Sequence, residues 1–315
     1  MTISKEFRRK DGGIKFNFAP ANEEELKECL SDPLWRICSG ALYKIIIKGD
    51  DGEDGLVMPF IPNRAQKRLL KALWHRNVIL KARQLGFTTL VCIVWLDTAL
   101  FSENMRCGII AQDREAAEVI FRDKVKFAYE NLPEELKAAM PLARDSASEL
   151  LFAHNNSSIR VATSMRSGTI HRLHISEFGK ICAKYPDKAK EVITGSIPAV
   201  PKSGILIIES TAEGRDGEFY DITMRAKALY DSKSELTVRD YKFHFFAWWD
   251  APEYEMPVDS VKLTDKDLAY FERIESQINQ PISPEKRAWY IATRDADFSG
   301  SEEKMWQEYP STPEE

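Results

Sequence analysis

The stretch Lys81-Ala82-Arg83-Gln84-Leu85-Gly86-Phe87-Thr88-Thr89 has the residue types of a phosphate-binding loop. It follows the apolar run Asn77-Val78-Ile79-Leu80 and precedes Leu90-Val91-Cys92-Ile93-Val94-Trp95-Leu96, so it should join a strand to a helix. A helix N-terminus presents free backbone N–H groups and the positive end of the helix dipole, which together hold phosphate. The usual pattern is G-x-x-x-x-G-K-[ST]. Aligned on Gly86 and Thr88, Lys81 stands where the first glycine belongs and Phe87 where the lysine belongs. The stretch is either a broken match or a variant whose lysine has moved to the front of the loop.

Two further stretches could complete such a site. Leu173-His174-Ile175-Ser176-Glu177 reads as a strand ending in one acid. Nucleotide hydrolases of the phosphate-loop class place an acidic pair there, the first residue serving Mg²⁺ and the second polarising the attacking water. Here Ser176 replaces the aspartate; its hydroxyl can still hold a metal-bound water. Alternatively Glu177 is a surface residue after a strand. Ile207-Ile208-Glu209-Ser210-Thr211-Ala212-Glu213-Gly214 is an apolar strand ending in small polar residues. Neighbouring parallel strands bring their C-terminal ends to one edge, where ligands bind. Ser210 and Thr211 would lie there beside the phosphates, or would simply cap a helix.

The elements that must position these residues alternate. Strands are expected at Tyr43–Lys48, Met105–Ala111, Leu150–Ala153, Ser158–Thr163, Arg172–Ser176, Gly204–Ser210 and Tyr241–Ala247. Helices are expected from Asn22, from Asn63 to about His75, from Asp113 to about Glu130, from Lys188 to about Ile193 and from Glu218 to about Tyr230. Asn63 and Gln66 have the spacing of a capping box. Strand–helix alternation from 77 to 247 implies βαβ units and a mostly parallel, helix-covered sheet, an α/β fold. After Asp250-Ala251-Pro252, residues 264–277 and 284–294 read as charged amphipathic helices. The domains expected are a loosely held basic arm at 1–21, an α/β domain at 22–250 and a small helical lid or linker subdomain at 251–315, which ends like a linker cut short. Asp50–Gly55 reads as a solvated turn lacking the ligand spacing of a calcium loop.

With 315 residues the chain can bury a large core. No apolar run approaches the ~20 residues of a membrane span, and Met1–Lys10 lacks the apolar core of a signal peptide. The five cysteines are scattered without metal-binding spacing, which points to a reducing, cytosolic setting. A net charge of −5 argues against a uniformly basic surface but leaves room for a local phosphate-binding patch.

Together the three motifs resemble the large terminase subunit of tailed bacteriophages, the ATPase that packages DNA into capsids. The resemblance runs from about Asn22 to the end. It includes Arg-Gln-Leu-Gly-x-Thr-Thr at 83–89, Ser-Glu at 176–177, Ser-Thr-Ala-x-Gly at 210–214, Trp248-Trp249 after a strand, and the closing Glu308–Glu315. It implies a P-loop ATPase fold with ATP and Mg²⁺ as ligands. Lys81 corresponds to a phosphate lysine carried at the front of the loop, able to fold back as a point charge. Arg83 corresponds to an arginine that swings onto the γ-phosphate. Ala82, Gln84, Leu85 and Gly86 would wrap the phosphates. Thr88 would hold Mg²⁺, with Ser176 and Glu177 holding it through water, and Thr89 would lie near the α-phosphate. Phe87 is expected to pack under the loop.

The same resemblance makes Glu177 the catalytic glutamate and Ser210, Thr211 and Ala212 the coupling segment. Gln66 corresponds to an adenine-reading glutamine, its amide able both to donate and to accept; the capping role is the alternative. Arg166, in Ser164-Met165-Arg166-Ser167-Gly168, corresponds to an arginine inserted by a neighbouring subunit, or pairs locally. Such a finger adds ~10³–10⁵ to rate. Lys180, Lys184 and Lys188 could share a helix face tracking DNA, or form a solvated face. Trp248 and Trp249 are expected in the subdomain interface.

The resemblance implies an ATP-driven double-stranded DNA translocase. Its partners would be the portal protein and procapsid, the small terminase subunit, and further copies in a ring, in the host cytoplasm and at the portal vertex. In that family the closing segment leads into a nuclease domain; nuclease activity is not expected of the residues given, since no second carboxylate cluster suggests a two-metal centre. The alternatives are a helicase-like DNA ATPase, a regulatory module that binds nucleotide without hydrolysing it, and a structural adaptor with a relic site.

Overall fold

The computed structural model describes residues 3–47, 55–166 and 168–315. Its main sheet has eight strands in the order β10-β3-β9-β8-β4-β7-β6-β5. These are β3 (Arg76–Lys81), β4 (Arg106–Ile110), β5 (Leu142–Asp145), β6 (Glu149–Phe152), β7 (Ser158–Ala162), β8 (Arg172–Ser176), β9 (Ile205–Ser210) and β10 (Tyr241–Phe246). β10, β3 and β9 are parallel, as are β4 and β7, while β6 and β5 add an antiparallel edge. This is the expected α/β class: a mostly parallel sheet covered by helices. The central strands read as continuous apolar runs because strands covered on both faces must bury successive side chains. Val78, Ile79, Leu206, Ile207 and Ile208 are all buried.

Contacts divide the chain into two compact units: Met1–Asn63, Gly86–His174 and Val192–Gly204 form one, and Arg64–Leu85, Ile175–Glu191 and Ile205–Glu315 the other. In the first, the helix Phe87–Phe101 starts at Gly86, whose φ of 73° is left-handed and suits glycine. That helix is apolar around most of its circumference and mostly buried. Its one acid, Asp97, is buried and takes a two-pronged bond from Arg36 at 2.8 and 2.7 Å and another from Tyr43 at 2.7 Å. The N-terminal segment, expected to be a loose arm, instead packs: Ile3 and Ile14 join Cys29 and Trp35 in a small core. Arg8 pairs with Glu28, and Arg9 with Asp32 at 3.0 Å. The apolar spacers between the basic residues decide this, since they have a core to bury in. A hairpin of β1 (Lys44–Ile47) and β2 (Leu56–Pro59) completes this unit; the turn at 50–54 lies outside the described residues.

In the second unit, the helices Asp265–Ile278 and Pro284–Asp297 stand near the expected positions, joined by a third at Glu302–Glu308. Thr264 and Asp267 form a capping box at the first of these. Trp248 is buried; it stacks near Trp289 and Tyr290 and donates to Ser311 Oγ at 2.8 Å, while Trp249 donates to the Ser311 carbonyl. The closing residues are packed rather than loose: Ser311 and Thr312 are buried.

The segment carrying Lys180, Lys184 and Lys188 is not one helix. Phe178–Lys184 ends at Tyr185 and a second helix begins at Pro186. The residue before a proline is disfavoured in helical geometry, which breaks the run. Lys180 points back to Glu177 at 3.4 Å, and Lys188 lies over the Tyr185 ring.

Candidate active site

Lys81 is the last residue of β3, and only 5% of it is exposed. Its ammonium lies 3.1 Å from Glu177 Oε1 and 3.2 Å from Glu209 Oε2. Burial alone would lower its pKa; the charges of Glu209 and then Glu177 outweigh that and hold it above the usual lysine range. Lys81 is therefore a fixed cation at the front of the loop.

Glu177 follows the last residue of β8 and precedes the helix Phe178–Lys184. Its φ of 54° and ψ of 47° place a non-glycine residue in the left-handed region, a conformation that costs about 1–3 kcal/mol and persists where the surroundings enforce it. The turn aims the carboxylate between Lys81 and Lys180. Ser176 donates its hydroxyl to Glu209 Oε1 at 2.8 Å.

Glu209 is the member of this cluster that sequence reasoning missed. It is fully buried in β9. The signal was present: a carboxylate that continues the apolar strand Ile205-Leu206-Ile207-Ile208 has to find a buried cation or donors. Directly after it, Ser210 and Thr211 are also buried, and neither hydroxyl has a hydrogen-bond partner among the described residues. Such groups call for an explanation, since nearly all buried polar atoms are paired. The helix Phe178–Lys184 crowds them: a Cβ on Gly179 would meet Ser210 Oγ at 2.8 Å and the Thr211 carbonyl at 3.1 Å.

The loop beyond Lys81 is held by its neighbours. Ala82 donates to the Phe246 carbonyl at 2.8 Å and is buried. Arg83 donates from its backbone to the Glu308 carbonyl at 2.8 Å, its guanidinium lies 3.5 Å from Glu308 Oε2, and its carbonyl accepts from the Tyr254 hydroxyl. Gln84, like Gly86, has positive φ, and Leu85 is buried. Phe87 is buried as its ring requires. Thr88 and Thr89 open the helix that follows, and Thr89 Oγ1 accepts from Lys124 at 3.0 Å. Gln66 is buried in the helix Arg64–Ala72. Ala212 lines a cavity of about 270 Å³ with Leu80, Phe219 and Thr312. The structure thus brings Lys81, Ser176, Glu177 and Glu209 into one cluster. Arg166 is not in it: it is exposed in the other unit, where it lines a cavity of about 610 Å³ with Arg106, Arg160 and His171.

For a metal, Ser176 and Glu177 are hard oxygen donors of the kind Mg²⁺ takes. Among the described residues, no group of three or more His, Cys, Asp or Glu side chains forms a cage. Mg²⁺ needs none where substrate phosphates supply the remaining oxygens, so the donor set fits an ion that comes with the nucleotide. No helix among the described residues is long and apolar enough to cross a membrane.

No protein-family model matches this sequence, and no curated protein matches it. Solved structures do. The large terminase ATPase domain of Thermus phage P74-26 is 18% identical, with a TM-score of 0.54 over 80% of this chain and 94% of that one. The large terminase of bacteriophage HK97 is 17% identical, with a TM-score of 0.56 over 87% of this chain; the match spans 54% of the HK97 protein. At such identities the likeness is one of fold, and on that ground the chain is similar to phage large terminases, with the fold of their ATPase domain.

Proposed function

We propose that this chain is an ATP-hydrolysing motor that translocates double-stranded DNA, as in packaging of a phage genome. The observation that carries this reading is the Lys81–Glu177 pair at the ends of β3 and β8: a cation for phosphate and a base for water, 3.1 Å apart. Lys81 neutralises Glu177 in the structure. When ATP binds, Lys81 exchanges carboxylate for phosphate oxygens. Glu177 is then released to orient a water against the γ-phosphorus and to accept its proton as the bond to ADP breaks. Thr88 would hold Mg²⁺ directly, and Ser176 and Glu177 would hold it through water; the ion would supply positive charge that offsets the phosphates of the nucleotide. Arg83 steadies the γ-phosphate, Thr89 lies near the α-phosphate and Gln66 reads adenine. Arg166 acts from a neighbouring subunit.

The buried hydroxyls of Ser210 and Thr211, with Ala212, would register loss of the γ-phosphate. Movement of Arg83 would pass to Glu308 and Tyr254, and so to the C-terminal helices. The partners of this reading are duplex DNA, the portal and procapsid, the small terminase subunit and a ring of like chains in the host cytoplasm. A second reading, a nucleotide-binding regulator that does not hydrolyse, is favoured by Phe87 and Ser176 standing in place of lysine and aspartate.

The test is ATP turnover with and without duplex DNA, followed by displacement of a triplex-forming strand from that duplex. DNA-stimulated turnover with triplex displacement and no unwinding of a forked duplex is expected. Unwinding of the fork would favour a helicase-like enzyme; binding without turnover, including in the presence of DNA and added portal, would favour the regulator.

A further inference from the structure

β9 lies between β3 and β8, so a side chain near its end can reach the last residue of both neighbours. Glu209 does so. One carboxylate oxygen accepts a hydrogen bond from the Ser176 hydroxyl at 2.8 Å, and the other meets the Lys81 ammonium at 3.2 Å. A serine hydroxyl carries one proton and two lone pairs. With the proton committed to Glu209, what Ser176 Oγ can offer another group is acceptor capacity, as a carboxylate oxygen does. A counterion for Lys81 is already present in Glu177, so neutralising that lysine does not by itself account for a second, fully buried carboxylate. Burying such a charge is costly unless it is paired and hydrogen-bonded.

We propose that Ser176 and Glu209 together do the work of the aspartate that precedes the catalytic glutamate in P-loop ATPases: Glu209 supplies the charge and Ser176 the acceptor oxygen. Glu209 is then a positioning residue. It orients Ser176 toward a metal-bound water and keeps Lys81 at the front of the loop. The inference rests on the ATPase reading above.

The test moves the charge back. Binding of a fluorescent ATP analogue is measured with Mg²⁺ and with EDTA for wild type, Glu209→Gln, Ser176→Asp and the double variant, beside thermal melting of each. In Glu209→Gln the gain in affinity from Mg²⁺ should fall about 10–100-fold, the usual cost of losing an outer-shell partner of a metal. The double variant should recover most of it. Ser176→Asp alone should not improve on wild type, because two adjacent buried carboxylates repel. An unchanged Mg²⁺ gain in Glu209→Gln overturns the proposal, and so does a double variant no better than Glu209→Gln. If Glu209→Gln does not fold, the double variant carries the test: folding with Mg²⁺-dependent binding supports the proposal, and failure to fold overturns it. A wild-type chain that binds no ATP sinks the ATPase reading instead.

Discussion

Lys81 Nζ and Glu177 Oε1 are 3.1 Å apart although 96 residues separate them in the chain. The pair joins the front of the phosphate loop to the one acid at the end of β8. It gives the lysine at the front of the loop a definite position.

Lys81→Ala should weaken ATP binding at least about tenfold, the equivalent of about 1.4 kcal/mol. It also removes a cation from the fully buried Glu209. Breaking a buried ion pair from one side costs about 3–5 kcal/mol, so the unfolding midpoint in urea should fall as well. Near-normal turnover in this variant would show that the lysine at the front of the loop is not the phosphate lysine.

Glu177→Gln keeps the shape of the side chain and removes its basicity. ATP binding should survive while turnover falls by about 10²–10⁴, the range for loss of a general base. Equilibrium binding beside single-turnover hydrolysis separates the two effects. Equal turnover in variant and wild type would assign the base to another residue.

Gly179→Ala would ordinarily stabilise a helix. Here the added methyl must displace Ser210 Oγ, 2.8 Å away, or the Thr211 backbone. Overpacking of this kind costs about 1–3 kcal/mol. We expect a lower melting temperature together with slower turnover at unchanged ATP affinity, because the strain falls on Ser210 and Thr211, the residues proposed to couple hydrolysis to movement. A variant that is more stable and fully active would remove Ser210 and Thr211 from the coupling role.

His244, on β10, shares a hydrogen bond of 3.0 Å with Asn77 Oδ1. Burial, then Lys242 and Arg68, lowers its pKa from 6.5 to about 4. As pH falls below 6.5 the unfolded chain takes up the proton first, so stability present at neutral pH is lost on the way down to about 4. The loss should be about 2–3 kcal/mol. Urea midpoints measured from pH 7.5 to 4.5 should show it, and His244→Gln, which can still donate to Asn77, should flatten the profile. A profile of unchanged slope would mean that other groups set the acid sensitivity.

Much of the fold was legible because buried parallel strands leave a local mark. Val78-Ile79-Leu80 and Leu206-Ile207-Ile208 are continuous apolar runs, and Asn22, Asp113 and Thr264 cap the helices that follow them. What was missed depends on partners distant in the chain. β5 is a short edge strand with little apolar signal, and its place is set by pairing with β6. The N-terminal segment looked loose because its core partners, Cys29 and Trp35, lie in later helices.

The site divides in the same way. The sequence by itself determined the loop from Lys81 to Thr89, the acid at Glu177 and the hydroxyl pair at Ser210-Thr211, because each is a run of neighbours at the end of a strand. Only the tertiary structure decided that β9 stands between β3 and β8, since strand order comes from long-range pairing that no local run records. That order puts the Glu209 carboxylate within reach of both Lys81 and Ser176, where a buried charge must find its partners.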